Sequence, residues 1–297
     1  MNAANHASER EAASDLLGFG REISPARRWV LVWPREHGAW GILLVSLFTG
    51  AAVGFSSAAN LLPLFWLTVA VISVFCLRTP VENSMPKSPF RPRTPAERRW
   101  VNTAAAAYAV IGAVAGVMLW FDGALKLIWL PAVGAVALFG LQVMIKRLDR
   151  ALRLPAEVAG AFGLALAAAA GYMICAGKGG GLAAGVWVVN GLFVANQILY
   201  VQFRMQEGRG GVDGSSRIRK QIFLANEVVM VLAIVGGSLL GMLPALTLVA
   251  FLPVIVRGSV WLFRPGPTPL RIHRLGKSEL AHAIAFGMIF IAVLRVF

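Results

Sequence analysis

Nine stretches of this chain run apolar for roughly 20 residues each, the length a helix needs to cross a hydrocarbon core about 30 Å thick. They read as residues 38–56, 59–77, 101–121, 125–145, 156–176, 181–203, 221–242, 244–263 and 279–297. Backbone polar groups find no water in lipid, so stretches of this kind fold as helices that satisfy themselves internally. The expectation is an all-α, polytopic membrane protein with nine transmembrane helices. Of the 297 residues, 58% are hydrophobic and 14% charged, well outside the range of a soluble globular domain.

The charges between the stretches alternate. Arg10, Arg21, Arg27, Arg28 and Arg35 precede the first stretch; Arg78, Lys87, Arg91, Arg93, Arg98 and Arg99 lie between the second and third; Lys146, Arg147, Arg150 and Arg153 lie between the fourth and fifth. Arg204, Arg209, Arg217, Arg219 and Lys220 follow the sixth, and Arg257, Arg264, Arg271, Arg274 and Lys277 run from the end of the eighth to the ninth. That places 25 of the 28 basic residues on one side, with Lys126, Lys178 and Arg295 on the other. The positive-inside rule then predicts a multi-pass protein of a bacterial-type inner membrane, amino terminus cytoplasmic and carboxyl terminus outside. The formal net charge of +14 is mainly this topology signal. Dispersed over short loops, it does not suit a nucleic-acid partner.

Residues 1–32 are polar, lack the apolar core of a signal peptide and read as a flexible cytoplasmic tail ahead of a transmembrane domain at 33–297. The loop at 78–100 is rich in proline and should run extended; the loop at 204–220 is rich in glycine and should be looser. The two loops occupy equivalent places if spans 1–4 and 5–8 form two halves. Pro131 and Pro253 should kink their helices, and the Ala/Gly-dense span 156–176 should allow close helix contact. Cys76 and Cys175 fall about a membrane thickness apart, so neither a disulfide nor a cysteine metal site is expected.

Polar groups inside lipid are costly, and their depth is informative. Glu36 and His37 open span 1, Glu157 opens span 5, Asn226 and Glu227 lie early in span 7, and Glu279 and His282 open span 9. Asn196, Gln197 and Gln202 lie late in span 6, and Arg257 late in span 8. All fall in the cytoplasmic half, with Asn190 the deepest, which suggests a polar cavity open to the cytoplasm. Taken singly, each group is equally an interfacial cap or an interhelical hydrogen bond.

The segment Trp33–Gly41, reading Trp-Pro-Arg-Glu-His-Gly-Ala-Trp-Gly, resembles the signature of the YwiC-like membrane protein family, and Leu275–His282 resembles its last helix. More remotely, the chain is similar to the UbiA-type intramembrane prenyltransferase superfamily. That likeness implies a nine-helix bundle with Asp-rich motifs in loops 2–3 and 6–7 that hold an isoprenyl diphosphate through Mg²⁺. Arg91-Pro92-Arg93-Thr94-Pro95, Lys146-Arg147 with Glu157 and Gly160, and Gln202–Arg209 stand at matching places. The aspartates do not: Glu82 and Asn83 stand near the first motif, and Gln202, Met205, Glu207 and Arg209 at the second. One carboxylate with neutral amides does not build a Mg²⁺ clamp, so no metal and no cofactor are expected.

Two readings follow. In the first, Asn83, Arg91, Asn196, Gln202, Arg209, Glu227 and Arg257, with Arg78 and Arg204, bind an anionic or isoprenoid lipid without metal. Glu36, His37, Glu279 and His282 are then the candidate acid-base residues, whether the protein modifies the lipid or only binds it. In the second, the chain is a proton-coupled secondary transporter, with Glu227, Glu279 and His282 carrying the proton, or a non-catalytic accessory membrane protein.

Overall fold

The computed structural model describes residues 23–34, 37–57, 59–85, 88, 90–148, 152–207, 215–263 and 272–296. Among them the regular structure is helical throughout: α1 (Pro25–Val32), α2 (His37–Gly54), α3 (Leu61–Asn83), α4 (Pro95–Phe121), α5 (Leu125–Leu148), α6 (Arg153–Ala176), α7 (Gly181–Glu207) and α8 (Ser215–Leu239). A 3-10 helix (Ala245–Phe251) then leads into α9 (Leu252–Phe263), and α10 is Ile272–Val296.

Among the described residues, eight helical segments are long and apolar enough to cross a membrane: α3 to α8, the composite 245–263, and α10. α2 is apolar but shorter, over 38–54. Exposed Val133, Val136, Leu232 and Met288 on the outer faces suit hydrocarbon rather than water. The chain is a multi-pass membrane protein.

Several helices outrun their apolar stretches. α3 continues to Asn83, α7 to Glu207, and α8 and α10 begin at Ser215 and Ile272. Lipid thickness limits the apolar run, but a helix can continue beyond it among good helix formers. Glu279 is therefore two turns inside α10 and Glu227 more than three turns inside α8, rather than near their starts. Pro253 is the second residue of α9, where its missing N–H costs no hydrogen bond; the expected kink is a change from 3-10 to α-helix.

The chain forms two compact units, and they do not follow the expected division into spans 1–4 and 5–8. One comprises residues within 1–35 and 69–115, the other 36–68 and 116–297.

In the first unit, α1 occupies the last part of the expected flexible tail. Ser24 caps it, accepting from Arg27 N, with Pro25 in the first turn, and Leu31 and Val32 are buried with Val101. At the start of α4, Thr94-Pro95-Ala96-Glu97 forms a cap: Glu97 N donates to Thr94 Oγ1 at 3.1 Å, and Arg93 N donates to the Glu97 carboxylate at 2.7 Å. Arg27 completes the joint with a bidentate pair to Glu97, at 2.9 and 3.3 Å.

In the second unit, α6 and α7 are the most buried helices. α2 crosses α6 so closely that a Cβ on Gly50 would collide with the Ala168 carbonyl, and one on Gly171 would meet Leu47 O at 2.9 Å. This is the close contact that small residues permit, found where the Ala/Gly-dense span led one to expect it. α10 lies along α2, with a Cβ on Gly287 3.0 Å from Thr49 Cγ2. Phe193, Phe251, Phe286 and Phe290 fill the space among α7, the 3-10 helix and α10. Asn190, the deepest polar residue, accepts from Thr49 at 3.0 Å and donates to Val186 O, an interhelical packing bond.

Candidate functional site

Four helices of the second unit bring four sequence-marked residues together. Arg257 on α9 donates Nη1 to Glu279 Oε2 on α10 and Nη2 to Asn196 Oδ1 on α7, the latter at 3.0 Å. Asn196 Nδ2 donates at 2.7 Å to Glu227 Oε1 on α8. The amide thus spans from the ion pair to a second carboxylate, and its own two ends are both used.

The surroundings are tightly packed. The Arg257 and Glu279 side chains are only 7% and 12% exposed, and Asn196 is fully buried. The Arg257 guanidinium carbon lies 4.0 Å from the centre of the Tyr200 ring, and Gln197 Nε2 donates to the Glu279 carbonyl at 2.9 Å, fixing α10 against α7. Gly258 lets Glu227 approach, since a Cβ there would meet Phe223 at 2.7 Å and Glu227 Oε1 at 3.0 Å. Five buried side-chain polar atoms have no partner among the described residues: Glu227 Oε2, Glu279 Oε1, Arg257 Nε, Asn226 Nδ2 and, on the 3-10 helix, Thr247 Oγ1.

His282, one turn after Glu279, places Nδ1 2.6 Å from the Ser278 carbonyl. A carbonyl only accepts, so Nδ1 carries the hydrogen.

Nearer the α7–α8 loop a second layer ties the same helices. Arg204 pairs with Glu207, and Trp261 Nε1 donates to Glu207 Oε2 at 3.1 Å. Gln202 donates to Glu157, which also pairs with Arg153 at 2.8 Å. Gln202 thus anchors α7 to α6.

Asn83 and Arg91 lie in the first unit: Asn83 donates to Leu31 O at 2.9 Å, holding α1, and Arg91 is exposed, its carbonyl accepting from Arg27. Glu36 and Arg209 lie outside the described residues; His37 is the first residue of α2, and its side chain is likewise outside them. Among the described residues no group of three or more His, Cys, Asp or Glu side chains suits a metal ion.

Tyr200 was not singled out from the sequence. Its signal was the four-residue step from Asn196, which puts both on one helix face, but an aromatic at helical spacing is more often plain packing.

Residues 33–172 match the family described as YwiC-like protein. Over this segment the chain is similar to that family. The YwiC-like segment begins at the Trp33–Gly41 motif and runs through α2 to α6. The Asn196–Glu227–Arg257–Glu279 network and the 275–282 stretch lie beyond it. Neither the curated proteins nor the solved structures return a match.

Proposed function

We infer that this YwiC-like membrane protein is a proton-coupled secondary transporter whose proton sits in the α7–α10 network. The observation that carries this reading is the charge count. Two carboxylates, Glu227 and Glu279, share one guanidinium in a buried site, so with all three ionised the network holds an uncompensated negative charge. An unpaired buried charge is costly, and one proton bound to the network removes it. A metal cation fits poorly: the groups that meet Glu227 Oε1 and Glu279 Oε2 are an amide donor and a guanidinium, where Na⁺ or Ca²⁺ needs several oxygens.

In the accompanying topology α2 serves as a ninth crossing, the amino terminus is cytoplasmic and the network lies in the cytoplasmic half. Support for that orientation comes from the basic loops alone.

The competing reading is a UbiA-like bundle that binds an anionic or isoprenoid lipid. It rests on the sequence resemblance and on exposed Arg91. It is weakened where the arginines meant for the headgroup already hold carboxylates: Arg78 with Glu82 at 2.9 Å, Arg204 with Glu207, and Arg257 with Glu279.

The experiment is infrared titration of the full chain in liposomes, followed by solute-driven proton uptake with a trapped pH dye. Wild type should show the carbonyl stretch of a protonated carboxyl, lost in Glu227→Gln, and proton uptake with some member of a solute panel that the variant abolishes. No titrating carboxyl, with an isoprenoid or acidic lipid co-purifying with wild type and lost from Arg257→Gln, would favour the lipid reading instead.

A further inference from the structure

The first unit carries a feature unrelated to the proton network. α1 lies outside the apolar crossings and is fastened along one side, by the buried Leu31 and Val32, by Asn83 at the Leu31 carbonyl, and by Arg27 on Glu97. Its other side is aromatic and cationic. Trp29 and Trp33 are 59% and 40% exposed and meet edge to face at 5.7 Å. Arg28 lies 5.9 Å over the ring of Trp100, whose Nε1 donates to the Arg28 carbonyl at 3.3 Å.

The charge around these rings is of one sign. Arg28, Arg91, Arg93, Arg98 and Arg99 are exposed. Glu97, the single carboxylate of residues 90–100, is occupied by Arg27 and by the Arg93 N–H. Indole rings are most stable at the level of lipid headgroups, with the ring toward the acyl chains and the N–H among polar groups. Guanidinium groups pair bidentately with phosphate oxygens there.

We propose that α1 and residues 90–100 form an in-plane shelf that binds the headgroups of acidic phospholipids. Zwitterionic headgroups present the same phosphate, but their ammonium is repelled by the five arginines, so a net negative headgroup is selected. The Arg27–Glu97 joint holds the rings and charges in place before the lipid arrives, which limits the ordering cost of binding.

The test uses the full chain in nanodiscs containing brominated phosphatidylglycerol or brominated phosphatidylcholine at equal mole fraction, reading the fluorescence lost in Trp29→Phe/Trp33→Phe as the signal of these two rings. Brominated phosphatidylglycerol should quench that signal at least about twofold more strongly, as expected for a lipid enriched at the shelf. Arg28→Gln/Arg98→Gln/Arg99→Gln, which leaves the Arg27–Glu97 joint intact, should level the two lipids. Equal quenching in the wild type, a comparison that needs no arginine variant, overturns the proposal. So does loss of the difference on adding inorganic phosphate beyond the effect of sodium chloride at the same ionic strength, which would reveal a small-anion site.

Discussion

Asn196 donates its amide to Glu227 at 2.7 Å while its carbonyl holds Arg257 at 3.0 Å, so one neutral side chain sets the spacing between a cation and the carboxylate it does not neutralise. Asn196→Leu keeps the branched outline and removes both bonds, leaving two more buried groups unpaired at about 1–3 kcal/mol each. The unfolding midpoint in detergent should fall well below that of Asn190→Leu, which breaks the packing bond to Thr49. Equal midpoints would show that the network contributes no more than an ordinary interhelical contact.

The Arg257–Glu279 pair invites a double substitution. Removing one partner strands a buried charge, and Arg257→Met or Glu279→Gln should each cost about 3–5 kcal/mol. Arg257→Met combined with Glu279→Met removes both charges and should cost less than either single change. A double-mutant cycle by thermal or denaturant unfolding measures the difference, and strict additivity would rule out a coupled pair.

Gly258 marks the closest approach of Glu227 to the α9 backbone. A methyl group there would press on Phe223 and on Glu227 Oε1, at 2.7 and 3.0 Å, so Gly258→Ala should cost about 1–3 kcal/mol by overpacking. Because it moves Glu227, it should also shift the infrared titration of the buried carboxyl. Gly236→Ala on α8, with nothing within 4 Å of the added carbon, is the control and should leave both readouts unchanged.

Residue by residue, the sequence made the presence of the network legible but not its geometry. Asn196, Glu227, Arg257 and Glu279 could each be marked because a polar side chain in an apolar run demands a partner. Which of them meet depends on the rotation and relative height of four helices, and the apolar runs miss the helix starts by up to two turns where helices continue through charged residues, as α8 and α10 do. The same ambiguity made Asn83, Gln202 and Asn190 look equivalent to the network residues, whereas each is spent on joining two segments. α1 was hidden because eight residues with two arginines look like polar tail; its fastening depends on Glu97 and Asn83, more than 50 residues away in sequence.

The α2–α6 crossing is decided by backbone approach rather than by side chains. Gly50 faces the Ala168 carbonyl with no room for a methyl group, and Gly54 is similarly placed over Tyr172. Gly50→Ala should therefore destabilise the protein by more than the ordinary overpacking cost of about 1–3 kcal/mol, because backbone rather than a flexible side chain must move. Gly38→Ala, in open space on the same helix, should be neutral. Thermal unfolding of the two variants in the same detergent separates a packing role from any general intolerance of substitution in α2.

The joint that fixes α1 is testable apart from any lipid. Glu97 caps α4 through Arg93 N and holds Arg27 with both carboxylate oxygens, and its hydrogen bond raises the Arg27 guanidinium further above its already high ordinary value. Glu97→Gln loses the ion pair but keeps one acceptor, so α4 should stay folded while α1 loosens. Limited trypsin digestion should then cut after Arg27 and Arg28 faster than in wild type, with the transmembrane fragment intact. Thr94→Ala, which removes only the hydroxyl cap at a cost of about 1 kcal/mol, should leave that cleavage rate unchanged. If Glu97→Gln is cut no faster than wild type, α1 is held by its buried leucine and valine and by Asn83 at the Leu31 carbonyl, and the ion pair is a surface contact of little weight.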